Sequence, residues 1–460
     1  MRQSAKTDKM RETPVQRLML FMGLPMIVSM MLQALYNIVD SAFISNMAQG
    51  GEEALNALTL AFPLQMLMVA VAVGTGVGCN ALVARWLGQG ERERASQTAG
   101  NAQFLCLVIY AAFVLFGLFG VRPYIGSQTA NREIYDMAVE YLSICCVASL
   151  GMILFGTYEK LLQAAGHSVH STAAQVAGAV TNIVLDPIMI YGLFGCPELG
   201  VKGAAYATVI GQWVSGLLGL LFHLKVNKDL SSKIRYFKPD GAVIKGIYSI
   251  GLPAIISQAL MSVMTYGLNI ILGAAATSLV TAYGLYYKIQ QFILFASFGL
   301  RDAITPIVAY ANGMADKPRI RAGIKYGHLY TLIIMLVGTA AVELLAAPLA
   351  HVFGLNGETE VLCISAMHII SISFVFAGFN VAMQGVFQAL EGGLESLVIS
   401  VCRQIVFVLP VAWLFAKLVR QTQVSYSVIW LTFPIAEVVT AVIAAALMIR
   451  IGRKLCIFLK

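Results

Sequence analysis

Four carboxylates stand inside long apolar runs of this 460-residue sequence: Asp40, Asp186, Glu343 and Glu437. A charge at hydrocarbon depth costs roughly 2.5–3.5 kcal/mol on insertion scales, so each must face a cavity or a partner, and each is a candidate for ion handling. Asp40 closes the stretch Gln33-Ala34-Leu35-Tyr36-Asn37-Ile38-Val39-Asp40. Tyr36 and Asp40 share one helical face at i, i+4, with Gln33 and Asn37 beside them, which makes a polar stripe in an apolar helix. Asn182 and Asp186 repeat that spacing, and Pro187 removes a backbone N–H next to them. Two carboxylates turned toward one dry cavity repel each other and gain by binding a proton or a cation. That is the chemistry of ion exchange. The alternative, in which Asp40 and Asp186 only tie helices together, takes second place because both fall in the same half of the chain beside amides.

The other charged groups say less. Glu343, toward the outer end of its run, fits a side chain snorkelling to the interface as well as it fits a functional acid; Glu437 is open in the same way. Arg301-Asp302 reads as a structural pair. Met26, Met30, Met31 and Met68 are of a type that lines adaptable cavities, although core or lipid-facing filler is the more common use. Gly74-Thr75-Gly76-Val77-Gly78 has no strand before it and reads as close helix packing, not a nucleotide loop. His167 and His170 lack a third ligand and fall in a loop between runs. No Walker motif occurs, so ATP is not the energy source, and the eight cysteines form no CxxC pair.

The elements that must position these residues are membrane-spanning helices. The chain is 58% hydrophobic and only 12% charged, about half the charge of a soluble domain. A span needs roughly 20 mostly apolar residues because its backbone must satisfy itself. Apolar runs near 18–44, 56–84, 97–120, 137–161, 171–194, 203–224, 243–272, 279–310, 325–350, 361–389, 396–418 and 427–450 make twelve spans. They are numbered here as helices one to twelve. The first run is far longer than the roughly 7–15 residues of a leader core and reads as helix one.

With both termini inside, inner segments hold 23 Lys and Arg, Lys160 among them, against 5 outside and 3 within spans. This bias marks the cytoplasmic side and accounts for the net charge of +8 without nucleic acid. A basic linker at 225–245 separates a six-helix lobe at 1–224 from another at 246–460. The lobes look alike. Gly23-Leu24-Pro25 returns as Gly251-Leu252-Pro253, Gln163-Ala164 as Gln388-Ala389, and Leu185-Asp186-Pro187 as Val408-Leu409-Pro410. An even number of spans in each lobe makes the repeat parallel, which suits a carrier with two bundles rocking about a central site. The expected fold is all-α and polytopic, with two six-helix lobes related by a pseudo-two-fold.

Over essentially its whole length the chain resembles the multidrug and toxic compound extrusion (MATE) family. The resemblance rests on Pro25 with Leu35-Tyr36-Asn37-Ile38-Val39-Asp40, on Arg85-Trp86-Leu87-Gly88-Gln89-Gly90, and on Asn182-Ile183-Val184-Leu185-Asp186-Pro187. Gly200-Val201-Lys202-Gly203-Ala204-Ala205-Tyr206-Ala207-Thr208 completes it. It implies a cation-coupled antiporter whose coupling-ion site carries over to Asp40, Asn182 and Asp186, with Tyr36 beside them and Thr208 as the helix-six hydroxyl. The NorM-like branch carries an acid on helix seven; here Gln258 is that helix's main polar side chain, so coupling confined to the first half is expected.

The resulting expectation is export of amphipathic, often cationic, small molecules in exchange for H⁺ or Na⁺. Asp40, Asn182 and Asp186 would hold Na⁺ if that is the ion, and Gln33, Asn37, Gln258 and Met31 would line the substrate cavity. No cofactor, resident metal or nucleic-acid partner is expected. The chain should act as a monomer among lipids of a bacterial inner membrane, with both termini cytoplasmic. Two rivals are a lipid-linked oligosaccharide flippase, which would line its cavity with many bases, and a membrane-embedded transferase, which would need a clustered nucleophile or metal set.

Overall fold

A computed structural model describes residues 9–45, 47, 51–352, 357–422 and 424–457. Helix one runs Val15–Ser45, helix two Gly51–Gly88 and helix three Arg92–Gly126, followed by a bent pair, Arg132–Val147 and Leu150–Ala164, as helix four. Helices five and six are Ser168–Tyr191 and Val201–Val226. Helices seven to nine are Gly241–Gly273, Thr277–Gly313 and Lys317–Val352. The bent pair Gly357–Ser371 and Phe374–Ala389 forms helix ten, and Gly393–Gln421 and Tyr426–Lys454 are helices eleven and twelve. Among the described residues ten single helices are long and apolar enough to cross a membrane, and the two bent pairs, each counted as one span, bring the number to twelve. The chain is an all-helical, multi-pass membrane protein, and no strand occurs among its described residues.

The two halves start their helices in step. Arg92 and Lys317, Arg132 and Gly357, Ser168 and Gly393, and Val201 and Tyr426 are each 225 residues apart. The fourth span of each half is broken, by 46° after Val147 and by 54° after Ser371. The apolar runs gave no sign of this, because neither break is marked by proline. Ser373, at the second break, turns its hydroxyl back onto the carbonyl of Ile370 at 2.6 Å, a local bond that competes with helix continuation.

One compact unit comprises Met1–Glu12 and Val28–Ile255; the other comprises Thr13–Ile27 and Ile256–Lys460. These units follow the sequence lobes except where helices one and seven begin. Helix one changes unit after Ile27 and helix seven after Ile255, each two residues beyond its proline, Pro25 or Pro253. A proline lacks the N–H for a bond to the preceding turn and crowds its carbonyl, so both crossings fall where the helix is easiest to bend.

In the first unit the basic linker is pinned to helix three. Asn101 accepts from the Asp240 amide at 2.8 Å, Gln97 donates to Asp240 Oδ2 at 2.9 Å, and Ser96 Oγ accepts from the Ser231 amide at 2.9 Å. The glycines of helix two are packing sites. A Cβ on Gly74 would lie 2.7 Å from the Ile255 amide nitrogen, and one on Gly78 would lie 2.1 Å from the Ile247 carbonyl, so helix seven approaches backbone to backbone. Gly76 serves a different neighbour. Its missing side chain leaves room for the stem of Lys160, whose Cγ would lie 2.7 Å from a Cβ there.

Lys160 corrects an expectation. The sequence places it in a cytoplasmic loop, but it lies within the second piece of helix four and is 1% exposed. The apolar run at 137–161 already contained it, and the helix continues to Ala164. His170, likewise expected in a loop, stands in the first turn of helix five, its ring against that of His167.

Candidate functional site

Helices five and six of the first unit meet through two glycines. A Cβ on Gly178 would lie 1.8 Å from Ser215 Oγ and 2.4 Å from the Gly211 carbonyl, and one on Gly211 would lie 2.7 Å from the Gly178 carbonyl. Contact this close brings Asn182, one turn after Gly178, beside Thr208 and Gln212 of helix six. Helix one is tied to helix five at its far end, where Tyr191 donates to the Phe43 carbonyl at 2.5 Å.

Two cavities open among these helices. The larger, about 330 Å³, is lined by Tyr36, Asp40, Gln65, Tyr141, Thr208 and Gln212, among others. The smaller, about 110 Å³, is lined by Gln33, Tyr36, Asn182, Thr208, Glu159 and Lys160, with Phe155, Gly178 and Gln212 also on its wall. Gln33, Tyr36, Thr208 and Gln212 belong to both.

Asp186 is fully buried one turn beyond Asn182, whose amide donates to Asp186 Oδ1 at 3.2 Å. Asp186 is within electrostatic reach of Asp40. Three oxygens here are buried without a hydrogen-bond partner: Asp40 Oδ1, Asp186 Oδ2 and Asn182 Oδ1. Unpaired buried acceptors are costly, and two carboxylates sharing a low-dielectric site repel. A proton or a small hard cation such as Na⁺, which prefers oxygen ligands, relieves both. The donor set fits that kind of ion.

Of the expected residues, Tyr36, Asp40, Asn182 and Thr208 line these cavities, and Asp186 stands behind Asn182. Gln33 is also on the wall, but the neighbouring methionine there is Met30, not Met31. Gln258 lies on helix seven in the second unit and is not among the lining residues. The Asn37 side chain lies outside the described residues.

The sequence reading missed several groups. Gln65 donates to the Tyr141 hydroxyl at 3.1 Å on the wall of the larger cavity. Both are uncharged and isolated in their runs, so only a marked polar position inside helix two hinted at them. Glu159, Lys160 and Gln163 form a local knot. Lys160 Nζ lies 3.0 Å from Gln163 Oε1 and 3.9 Å from Glu159 Oε2, and Gln163 donates to Glu159 Oε1 at 3.1 Å. The i, i+4 spacing of Glu159 and Gln163 was the available signal.

In the second unit Glu437 is buried and paired. Arg403 Nε donates to Glu437 Oε1 at 2.7 Å, and Asn380 Nδ2 donates to Oε2 at 2.8 Å. Arg403 and Glu437 border a cavity of about 40 Å³ with Met261, Met264 and Phe433 on its wall. Arg301 donates twice to Asp302, the structural pair expected. Glu343 is half-exposed, bonded to His368 and accepting from Ser371 Oγ at 2.6 Å.

With this geometry in view, comparison with known proteins is informative. The MatE family model matches residues 25–188 and 253–414, one stretch in each half. Multidrug export protein MepA of Staphylococcus haemolyticus is 24% identical over 97% of this chain and 96% of its own length. The protein of that name from Staphylococcus aureus is 24% identical over 91% of each. Among solved structures, the outward-facing conformation of a multidrug resistance MATE family transporter of the MOP superfamily superposes with a TM-score of 0.91, at 25% identity over 99% of both chains. A MOP superfamily transporter from Pyrococcus furiosus, whose binding pocket is described as reversed in polarity, superposes with a TM-score of 0.90 at the same identity and coverage.

Proposed function

Because the chain belongs to the MatE family, we propose that it is a secondary active antiporter that exports amphipathic, often cationic, small molecules in exchange for inward H⁺ or Na⁺. Its place is the bacterial inner membrane, with both termini cytoplasmic, where it acts as a monomer. The staphylococcal relatives are named for multidrug export, and their likeness along nearly the whole chain supports the same activity here.

The observation that carries the coupling is the set of unpaired buried oxygens of Asp40, Asn182 and Asp186 at the first-half cavities. An ion taken up from outside offsets one of the two carboxylate charges and so relieves their repulsion. Tyr36 and Asp40 lie on the same helix as Pro25, eleven and fifteen residues on, so a change in their packing has a bendable point to act through. Substrate is released if its affinity differs between ion-loaded and ion-free states, since only a difference in binding moves the equilibrium. The two units then exchange access to the two sides of the membrane.

The buried bases argue against the flippase. Lys160 is held by Glu159 and Gln163, and Arg403 by Glu437, so neither cavity presents net positive charge to an anionic pyrophosphate.

The test is efflux of a cationic dye from proteoliposomes under an imposed pH or Na⁺ gradient. Asp40→Asn and Asp186→Asn should each reduce gradient-driven efflux to the gradient-free rate, with unchanged elution and thermal unfolding. Undiminished transport by both folded variants removes the assignment.

A further inference from the structure

The second half holds a cavity bordered by positions that, in the first half, border the smaller cavity beside the proposed ion site, and its contents differ. The 225-residue register can be checked on burial. Ala207, Gly211, Ser215, Gly219 and His223 are among the buried residues of helix six, and their counterparts Thr432, Ala436, Thr440, Ala444 and Met448 are among those buried on helix twelve. In that register Gln212 corresponds to Glu437 and Thr208 to Phe433. Counting from the shared starts of helices five and eleven, Gly178 corresponds to Arg403; within helices four and ten, Phe155 corresponds to Asn380. Phe155, Gly178 and Gln212 all border the 110 Å³ cavity. Their counterparts Asn380, Arg403 and Glu437 are the bonded triad of the second half, where 40 Å³ is left.

The backbone records the exchange. Gly178 sits where a single added carbon meets Ser215 Oγ at 1.8 Å. Arginine at the same position of helix eleven requires the helix to open, and Cys402–Val406 is a π-turn, the local widening that lets one residue be re-aimed. Arg403 is 8% exposed, and its guanidinium lies across the gap between helices on a carboxylate that is also 8% exposed. The surroundings supply oxygens beyond what arginine uses: Asn380 Oδ1, Gln404 Oε1 and Thr440 Oγ1 are buried without partners. Tyr286 is also within electrostatic reach of Glu437.

We propose that Arg403 is a tethered cation, seated on Glu437 in the second half where the first half has the open cavity bordered by Gly178 and Gln212, next to the site of its mobile ion, and that it thereby restricts ion coupling to the first half. This rests on the reading of Asp40 and Asp186 as the coupling site. Lys160 does not play the same part, because its ammonium is tied to Glu159 and Gln163 on its own helix, leaving Asp40 and Asp186 outside any ion pair among the described residues.

The tether predicts a gain of function when it is cut. Arg403→Met should convert the Glu437 pocket into an ion site built from the Glu437 carboxylate and the oxygens of Asn380, Gln404 and Thr440. The measurement is ion-induced infrared difference spectroscopy of the purified full-length chain in lipid, stepping either acidity or Na⁺. Wild type and Glu437→Gln should give the same carboxyl signal. Arg403→Met should gain one carboxyl's worth of signal, a new protonated C=O band with acid or a shifted carboxylate stretch with Na⁺. Arg403→Met combined with Glu437→Gln should lose it, and Arg403→Lys, which keeps a tethered charge, should never show it. Where Arg403→Met does not fold, Arg403→Gln carries the same expectation. Folded Arg403→Met or Arg403→Gln with no added signal overturns the proposal, as does a Glu437 signal already present in wild type. The spectra need neither gradient nor substrate, so their outcome is separate from the efflux results at Asp40 and Asp186.

Discussion

Each half of the chain buries one acid–base pair near its cavity, and the two pairs stand on different helices. In the first half Glu159 and Lys160 occupy helix four, where the second half has Gln384 and Gly385. In the second half Arg403 and Glu437 bridge helices eleven and twelve, where the first half has Gly178 and Gln212. One joins two neighbours on a single helix and leaves the nearby carboxylates unmatched; the other spans two helices and consumes the acid of its cavity. Duplication therefore preserved the frame and split the electrostatics. A base placed on its own helix leaves a site open to a mobile ion, and a base placed across the gap closes it.

The largest effect should come from moving the second half's base into the first. Gly178→Arg has no room, because even the first carbon of a side chain meets Ser215 Oγ and the Gly211 carbonyl. Folded protein and transport should both be lost. Gly178→Ala isolates the steric part: overpacking ordinarily costs about 1–3 kcal/mol, and with a backbone carbonyl as obstacle the upper end is expected. Thermal unfolding in detergent reads it. A Gly178→Ala protein as stable as wild type would mean that helices five and six are not held at this distance, and the contrast with the π-turn at Cys402–Val406 would lose its basis.

Next in size is the second-half pair. Removing one partner of a buried ion pair typically costs about 3–5 kcal/mol because the other is left charged and unmatched, whereas replacing both by apolar groups of similar volume is often near neutral. Arg403→Ala should accordingly unfold well below wild type, while Arg403→Met with Glu437→Leu should recover most of the loss. That double variant should still transport, since the proposed coupling groups lie in the other half. Loss of efflux in a stable double variant would show that the second-half charges take part in the cycle directly.

Much of this was legible in the residues. Spans follow from apolar length, and the duplication follows from Gly-Leu-Pro and Gln-Ala recurring at nearly constant separation. Asp40, Asn182 and Asp186 were visible because a carboxylate at hydrocarbon depth is expensive and i, i+4 spacing puts an amide or phenol on the same face. The partners were not. Arg403 and Glu437 meet across two helices, and no spacing along a chain reports a contact between separate spans. Lys160 was hidden for a different reason: a base at the end of an apolar run is counted with the adjoining cytoplasmic segment, yet the gap left by Gly76 on another helix admits its stem. The breaks in helices four and ten escaped because no proline marks them.

The smallest effect separates the halves at a single hydroxyl. Tyr141 borders the larger cavity and accepts from Gln65, and its counterpart 225 residues on is Ala366, so this phenol belongs to the first half alone. It lies within electrostatic reach of both Asp40 and Asp186. Tyr141→Phe keeps the ring and removes one hydrogen bond, worth about 0.5–1.5 kcal/mol; the freed Gln65 amide faces open cavity and is not stranded. If the hydroxyl helps to order the carboxylate site, that energy appears as roughly a 2- to 13-fold rise in the ion concentration giving half-maximal efflux, with the maximal rate kept. If it only braces helices two and four, thermal stability falls by the same energy and the ion dependence stays where it was. The two outcomes are read from one protein preparation, and only the first makes Tyr141 part of what distinguishes the ion-binding half from the half that carries its own cation.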